Sequence, residues 1–293
     1  MKKNYTFAVI SILIWSTTAA LIKSLLYNIP NMQALTLSSG CAFLFLLVVS
    51  LINGSFRKLA AFRPGQYCIM IFLGFIGQFL YGSFYYYGLS SLTSQEACIL
   101  NYLWPVMVVI FSGILLKENL NFGKILAILC SFAGIVILST GRHAAGTGNI
   151  PLGIASCLLA ALCSGLFTVL NKKFNMDQTI TMLVIWLTTF FCALIAGKLT
   201  ETWIPVHGFS WIGILWLGAG INGLTSLLWA LALNRSENTA LIANLAYLTP
   251  FLSLIVSAVF LKEKLEMRAF LALLFIIGGI LIQNLINPRK KEA

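Results

Sequence analysis

Long uncharged stretches constrain this sequence more than any other feature. Charged residues make up only 9% of its 293 residues, whereas an ordinary soluble domain has about 25%. Many gaps between charges are as long as the roughly 20 residues that a membrane-spanning helix needs. Clear examples are 4–22, 97–116, 178–197, 238–261 and 269–288. The chain is therefore expected to be a helical integral membrane protein.

The uncharged stretches divide into ten predicted transmembrane helices, separated by short segments rich in Gly, Asn, Ser and Pro. We place these helices at 5–26, 33–52, 66–89, 96–116, 122–140, 150–171, 178–197, 211–233, 239–261 and 267–286. No connecting segment is long enough to hold a soluble domain. The expected fold is all-α with ten transmembrane helices.

The basic residues predict how these helices are oriented. Thirteen Lys and Arg residues fall on the side of the N-terminus and six on the other side. Basic residues accumulate in cytoplasmic loops, so both termini are expected in the cytoplasm, and the net charge of +11 does not indicate nucleic-acid binding. The basic start also resembles a secretory signal peptide, but its apolar run continues to Ile22 without a convincing cleavage site, which favours a first transmembrane helix.

The second half of the sequence repeats the first. The segment YLWPVMVVIFSGILLKENL, beginning at Tyr102, matches YLTPFLSLIVSAVFLKEKL, beginning at Tyr247. One offset of 145 residues relates the tyrosine, proline and Leu-Lys-Glu positions, which shared leucine content alone would not produce. Because each half holds five predicted helices, an odd number, the second copy must enter the membrane upside down. We expect two oppositely oriented repeats, at 1–142 and 148–293.

Two prolines lie at equivalent positions of predicted helices 4 and 9. Pro105 and Pro250 each follow a tyrosine by three residues. Proline lacks an amide hydrogen and clashes with the carbonyl four residues earlier, so the carbonyls of Asn101 and Ala246 should be free. One such proline would indicate a packing kink, whereas a matched pair favours hinges at a transport site.

Polar and aromatic side chains follow one face of several predicted helices. They are Ser11, Trp15 and Thr18; Gln78, Tyr81 and Tyr85; Ser164, Thr168 and Asn171; Asn222, Ser226 and Trp229; and Asn244, Tyr247 and Phe251. Single Ser and Thr residues at such positions usually bond neighbouring helices, and Trp and Tyr often mark the membrane interface. Trp15, Trp104 and Trp229 lie too far from predicted helix ends for the interface, which favours a central cavity.

Acidic residues are expected at helix ends and in loops. A buried carboxylate is the usual group for binding a cation or exchanging protons inside a membrane, and only Glu96, at the start of helix 4, lies near such a position. Lys23 is expected to extend its amine to the interface as an anchor. The seven cysteines lie in predicted helices without a CxxC motif, so neither disulfides nor a metal site is expected.

These features resemble the drug/metabolite transporter superfamily in its ten-helix form with two EamA repeats. More narrowly, LIWSTTAALIK at 13–23, NYLWP at 101–105, FTVLNKKF at 167–174 and YLTP at 247–250 are similar to the aromatic amino-acid exporters of the YddG type. The resemblance implies inverted repeats around a central cavity, alternating access, and export of amino acids or related metabolites.

The resemblance also implies which residues line the cavity. They are Trp15, Ser16, Asn101, Tyr102, Trp104, Thr168, Asn171, Trp229 and Tyr247. With Tyr81, Tyr85 and Asn244 from the polar faces, they form the predicted solute site. One position departs from the exporters: Cys163 stands where they tend to carry a tryptophan, which removes one aromatic wall.

The sequence therefore predicts a secondary transporter of the cell membrane that exports small amino acids or related metabolites, with aromatic amino acids among the candidates. A multidrug or polyamine exporter is the alternative within transporters, and a passive channel or membrane scaffold is the alternative from another class. We expect no enzymatic activity, no cofactor and no nucleic-acid partner. The expected partners are a small solute and the lipid bilayer; a monomer is expected and a dimer is left open.

Overall fold

The computed structural model of the chain describes residues 2–117, 122–139, 149–234 and 245–286. Within these ranges every regular element is a helix. We number the α-helices in chain order: α1 Lys2–Ser16, α2 Thr18–Leu26, α3 Asn31–Ile52, α4 Pro64–Gly74, α5 Tyr81–Ser91, α6 Ser94–Asn101, α7 Trp104–Leu115, α8 Phe122–Ser139, α9 Ile150–Phe174, α10 Gln178–Thr200, α11 Phe209–Leu215, α12 Thr225–Asn234, α13 Thr249–Phe260 and α14 Met267–Ile286.

Seven helical stretches of the described residues are long and apolar enough to cross a membrane. They are Tyr5–Leu26, Asn31–Ile52, Pro64–Ser91, Ser94–Leu115, Ile150–Phe174, Gln178–Thr200 and Phe209–Trp229. Each overlaps one predicted transmembrane helix. The shorter helices Ala246–Phe260 and Met267–Gly279 and helix α8 overlap the other three, and the count of ten spans stays a prediction.

The helix predicted at 96–116 is divided in two. Helix α6 ends at Asn101 and α7 begins at Trp104, because Pro105 has no amide hydrogen to bond to the Asn101 carbonyl. The predicted span at 96–116 overlaps the helical stretch Ser94–Leu115, and the break falls just before Pro105. In the second half a short 3-10 turn, Ala246–Leu248, precedes α13 in the same way, with Pro250 in the first turn of that helix.

Two further interruptions also occur at corresponding places. A π-helical segment, Phe75–Leu80, joins α4 to α5, and another, Trp216–Leu224, joins α11 to α12. Such segments widen the helix locally and are frequent at functional sites. The predicted span at 66–89 overlaps the helical stretch Pro64–Ser91, in which α4, the π-helical segment and α5 follow one another.

The two Leu-Lys-Glu motifs share one backbone conformation. Helices α7 and α13 are each followed, two residues later, by a lysine with a φ of 55°, Lys117 and Lys262. This left-handed conformation commonly ends a helix, usually at glycine, and is uncommon for other residues. Its recurrence 145 residues apart extends the sequence repeat to the backbone.

Helices from the two halves of the sequence are interleaved. The main contacts join α8 to α14, α3 to α10, α5 and α7 to α9, and α1 to α12. Two packing groups result, which we call the α9 group (α5, α6, α7 and α9) and the α1 group (α1, α2, α12 and α13). The groups meet where α2 contacts α5 and α6 and where α13 contacts α6, and the buried core extends through this junction.

Candidate solute-binding site

Three predicted site residues lie together beside the break between α6 and α7. The Nδ2 atom of Asn101 donates a hydrogen bond to Oη of Tyr81 at 3.2 Å. The Tyr81 ring stacks on the ring of Tyr85, with centroids 5.8 Å apart and planes 18° apart. The Oδ1 atom of Asn101 is buried without a hydrogen-bond partner. Such an acceptor is costly to leave unbonded, so Oδ1 offers a position for a donor group of a solute.

Tyr102 connects this cluster to the second half of the chain. Its hydroxyl donates to the carbonyl of Ala246 at 3.5 Å, which is the carbonyl that Pro250 cannot bond. Tyr102 and Tyr247 both pack, partly buried, against the main hydrophobic core. The two interrupted helices therefore meet at one place, and a solute bound there would contact both.

A second aromatic pair joins α1 to α12. The ring centroids of Trp15 and Trp229 are 5.0 Å apart, with an angle of 55° between the ring planes. Trp229 also packs in a small cluster with Tyr5 and Leu245. Indole faces can stack on an aromatic ring or attract an ammonium group, so this pair is suited to either part of an aromatic amino acid.

Other predicted residues are not joined to the cluster by polar contacts. Trp104 is partly buried against the main core. The hydroxyl of Ser16 donates to the Leu13 carbonyl of its own helix at 2.7 Å. Asn244 lies outside the described residues. Their role in binding stays a prediction.

Helix α9 contributes polar contacts mainly to itself and to the next helix. The Thr168 hydroxyl donates to the Ser164 carbonyl at 2.8 Å, and Asn171 Nδ2 donates to Gln178 Oε1 at 3.1 Å, where α9 leads into α10. Cys163 is 7% exposed. Its small side chain leaves no aromatic wall at that position.

Lys23 does not extend its amine outward as an anchor, so that prediction was wrong. Its side chain is buried, and Nζ donates to the carbonyls of Leu89 and Leu92, each at 2.6 Å. A helix leaves its last carbonyls unbonded, and its dipole favours a cation at that end. Lys23 is therefore a buried cap on the C-terminal end of α5.

Glu96 is buried and paired. Its carboxylate accepts a hydrogen bond from Arg268 Nη2 at 3.1 Å and forms a capping box with Thr93. Arg268 also pairs with Glu266. Sequence reasoning singled out Glu96 but missed Arg268, because 172 residues separate the partners and only the packing of α6 near α14 brings them together.

The opposite end of the molecule carries an exposed ion pair. Lys58 Nζ lies 2.7 Å from Asp177 Oδ2. This hydrogen bond holds the pKa of Asp177 below its usual value, and the backbone amides of Ile180 and Thr179 lower it further. Asp177 thereby caps the start of α10.

Within the described ranges, no three His, Cys, Asp or Glu side chains are grouped so that they could hold a metal ion. The seven cysteines are free thiols.

Several long apolar helices, with two interrupted helices that meet each other, are typical of one class of protein, the multi-span helical membrane transporters. The particular family follows from a family model described as the EamA-like transporter family, which matches residues 2–140 and again 151–285. The chain belongs to this family. Its predicted place in the drug/metabolite transporter superfamily is confirmed.

Named relatives and a solved structure agree with this assignment. The aromatic amino acid exporter YddG of Ancylobacter novellus is 29% identical over 286 residues, covering 95% of this chain and 96% of the relative. The uncharacterized transporter YoaV of Bacillus subtilis is 25% identical over the same shares of the two chains. One crystal structure superposes with a TM-score of 0.72 at 23% identity, covering 98% of this chain and 99% of the other, which supports the fold alone.

Proposed function

We propose that this transporter exports small amino acids or related metabolites across the cytoplasmic membrane by alternating access, with aromatic amino acids as the first candidates. The observation that carries the proposal is the partly buried junction of Tyr81, Asn101 and Tyr102 with the carbonyl of Ala246. Similarity to an aromatic amino acid exporter supports the same solute class.

The chemistry of the junction suits a zwitterion with an aromatic side chain. The unbonded Oδ1 of Asn101 and the carbonyl freed by Pro105 are acceptors for an ammonium group. The C-terminal end of α6, which ends at Asn101, also favours positive charge. The Trp15–Trp229 pair supplies ring faces for the solute side chain.

The proposed architecture is two inverted five-helix repeats, 1–142 and 148–293, around a central cavity, with both termini in the cytoplasm. Two observations support it. The Leu-Lys-Glu motifs share sequence and backbone conformation. The packing of helices is also reciprocal, since α5 of the first half contacts α9 as α12 of the second half contacts α1. Exchanging the halves preserves this pair of contacts.

Counterflow in proteoliposomes tests the function. Vesicles containing the purified protein are loaded with one unlabelled solute, and uptake of the labelled solute is measured for the twenty amino acids, purines and polyamines. Saturable counterflow of Phe, Tyr or Trp is the expected result. Preference for small amino acids would still agree with the proposed solute class, although not with aromatic solutes. Preference for polyamines would show that the protein is a polyamine exporter instead. Flux without saturation would indicate a channel, and absence of all flux would contradict transport.

A further inference from the structure

The corner between α5 and α6 is held by one cation and one anion from the α1 group. This corner comprises residues 89–95, at the end of the molecule where α2, α5 and α13 finish, which the proposed topology puts on the outer side of the membrane. Lys23 reaches it from α2. Glu263 reaches it from the segment that follows α13.

Glu263 bonds the N-terminal end of α6 with both carboxylate oxygens. The amide and the hydroxyl of Ser94 each donate to Glu263 at 2.8 Å, and the Gln95 amide donates at 3.3 Å. The side chain of Gln95 donates to the carbonyl of Lys264 at 3.1 Å. The carboxylate thus satisfies amides that a helix start leaves unbonded and complements the positive end of its dipole.

Lys23 makes the opposite contact on the same corner. Its ammonium bonds two terminal carbonyls of α5, while the Glu263 carboxylate bonds two initial amides of α6. Each charge matches the partial charge of the helix end that it touches. Both contacts are charge-assisted; the Lys23 bonds are buried and the Glu263 bonds are partly buried, which makes them stronger than neutral surface hydrogen bonds.

A second glutamate caps a helix start in the same way as Glu263, but away from the junction of the α9 group and the α1 group. Glu201, after α10, bonds the amides of Met32 and Gln33 at 3.0 and 3.2 Å at the start of α3. The side chain of Gln33 then bonds the carbonyl of Ile204 at 2.7 Å, as Gln95 bonds Lys264. Helices α3 and α10 belong to neither the α9 group nor the α1 group. Glu201 therefore has the chemistry of Glu263 without its position between the groups.

Helix α6 connects the corner to the candidate site. It has eight residues, a length of about 12 Å at 1.5 Å per residue. Glu263 holds its first residue, Ser94, and its last residue, Asn101, is bonded to Tyr81. Beyond Asn101 the helix is interrupted, so α6 can turn as a short rigid piece without carrying α7.

We propose that Lys23 and Glu263 form the outer gate of this transporter, and that opening the gate moves α6 and so alters the site at Asn101. Rupture of the two charged contacts separates the α5–α6 corner from the α1 group and gives the site access to the outside. The proposal rests on the proposed transport function and on the proposed orientation. It assigns to the two charges a positioning role, since neither contacts the solute site.

Cys98 is a natural probe of the gate, because it lies in α6 between the corner and Asn101 and is 5% exposed. In a variant that keeps only this cysteine, its rate of labelling by a membrane-impermeant maleimide is measured in right-side-out and inside-out vesicles. Loss of a charge-assisted contact should open the gate more often. We expect Glu263→Gln and Lys23→Gln each to raise labelling from the outside by about tenfold.

Glu201→Gln is the matched control, since it weakens the same kind of helix contact away from the junction, and its labelling rate should stay within about twofold of the parent. A variant that keeps only Cys157, which is 0% exposed, reports unfolding, because this thiol should stay unlabelled. If Glu263→Gln does not insert into the membrane, Ser94→Ala removes one of the three bonds to Glu263, and a smaller rise of the same sign is expected.

Unchanged labelling in the gate variants, equal acceleration by Glu201→Gln, or acceleration only from the cytoplasmic face would each overturn the proposal. The measurement uses no solute. If none of the proposed solutes shows counterflow but the gate variants are labelled faster, the proposed solutes are wrong and the gate proposal stands. If the solutes show counterflow but labelling is unchanged, only the gate proposal is wrong.

Discussion

Asn101 contributes both its side chain and its backbone carbonyl to the break between α6 and α7. Its Nδ2 is bonded to Tyr81, its Oδ1 is buried and unbonded, and Pro105 deprives its carbonyl of the helical partner. One residue thus offers two acceptors at the end of a helix. Trp104 follows the break within three residues and has no counterpart in the second half, where Thr249 occupies the position.

Replacing either residue should stop transport and leave the protein in the membrane. Asn101→Ala removes the Oδ1 acceptor proposed to contact the solute and the Nδ2 bond to Tyr81, and Trp104→Ala removes an aromatic face, so counterflow should fall by about tenfold or more. Matched controls are Asn28→Ala and Trp211→Ala, whose side chains are exposed and bonded only within their own segments. Wild-type flux in both site variants, at equal expression, would refute the assignment.

At the scale of elements, close packing of α5 on α9 depends on a missing side chain. A Cβ atom added at Gly88 would lie 2.3 Å from the Sγ atom of Cys157, which is fully buried. The neighbouring helix can approach this closely only where α5 carries glycine. Small residues commonly permit such contacts between membrane helices.

Gly88→Ala should therefore lower the thermal stability of the protein in detergent. Overpacking of this kind costs about 1–3 kcal/mol, and Cys157→Ala should restore most of the loss because it removes the clashing sulfur. Gly65→Ala, which meets no atom within 4 Å, is the control. If the double variant were no more stable than Gly88→Ala, contact with Cys157 would not be the cause.

The interrupted helices make a separate prediction about motion. Pro105→Ala and Pro250→Ala each restore an amide that can bond the carbonyl four residues earlier. The pieces on either side should then join into a continuous helix, slowing counterflow by about tenfold without loss of folded protein. Pro64→Ala, in the first turn of α4, leaves that geometry unchanged and should transport at the wild-type rate. Faster or equal transport in both hinge variants would exclude a hinge role.

At the scale of the whole molecule, each packing group takes helices from both halves of the chain. Neither repeat can form its contacts alone, because α9 packs on α5 and α7 while α1 packs on α12. Relative motion of the halves is therefore motion of two mixed groups. Their junction holds the Tyr102–Ala246 bond and, at one end, the Lys23 and Glu263 contacts.

The proposed orientation can be measured directly. A fluorescent protein that folds only in the cytoplasm should fluoresce when fused after Ala293, and alkaline phosphatase fused there should be inactive. Phosphatase fused after Ile204, in the segment between α10 and α11, should be active. The opposite pattern would invert the molecule and place the proposed gate on the cytoplasmic side, while activity at neither site would indicate faulty insertion.

The sequence alone determined that the chain is a helical membrane protein of the EamA-like family, because apolar length, charge spacing and motif repetition are local properties that need no tertiary contact. It also predicted that Pro105 and Pro250 interrupt the helical hydrogen bonding, although it did not predict that α6 and α7 are separate helices. Only the tertiary structure decided which polar residues meet: Asn101 with Tyr81, Tyr102 with Ala246, and Glu96 with Arg268. It also showed that Lys23 is buried, where the sequence suggested an anchor at the interface. Helix ends and side chains far apart in the chain become partners only when helices pack, and a charge buried by that packing must find a bond there because water is excluded.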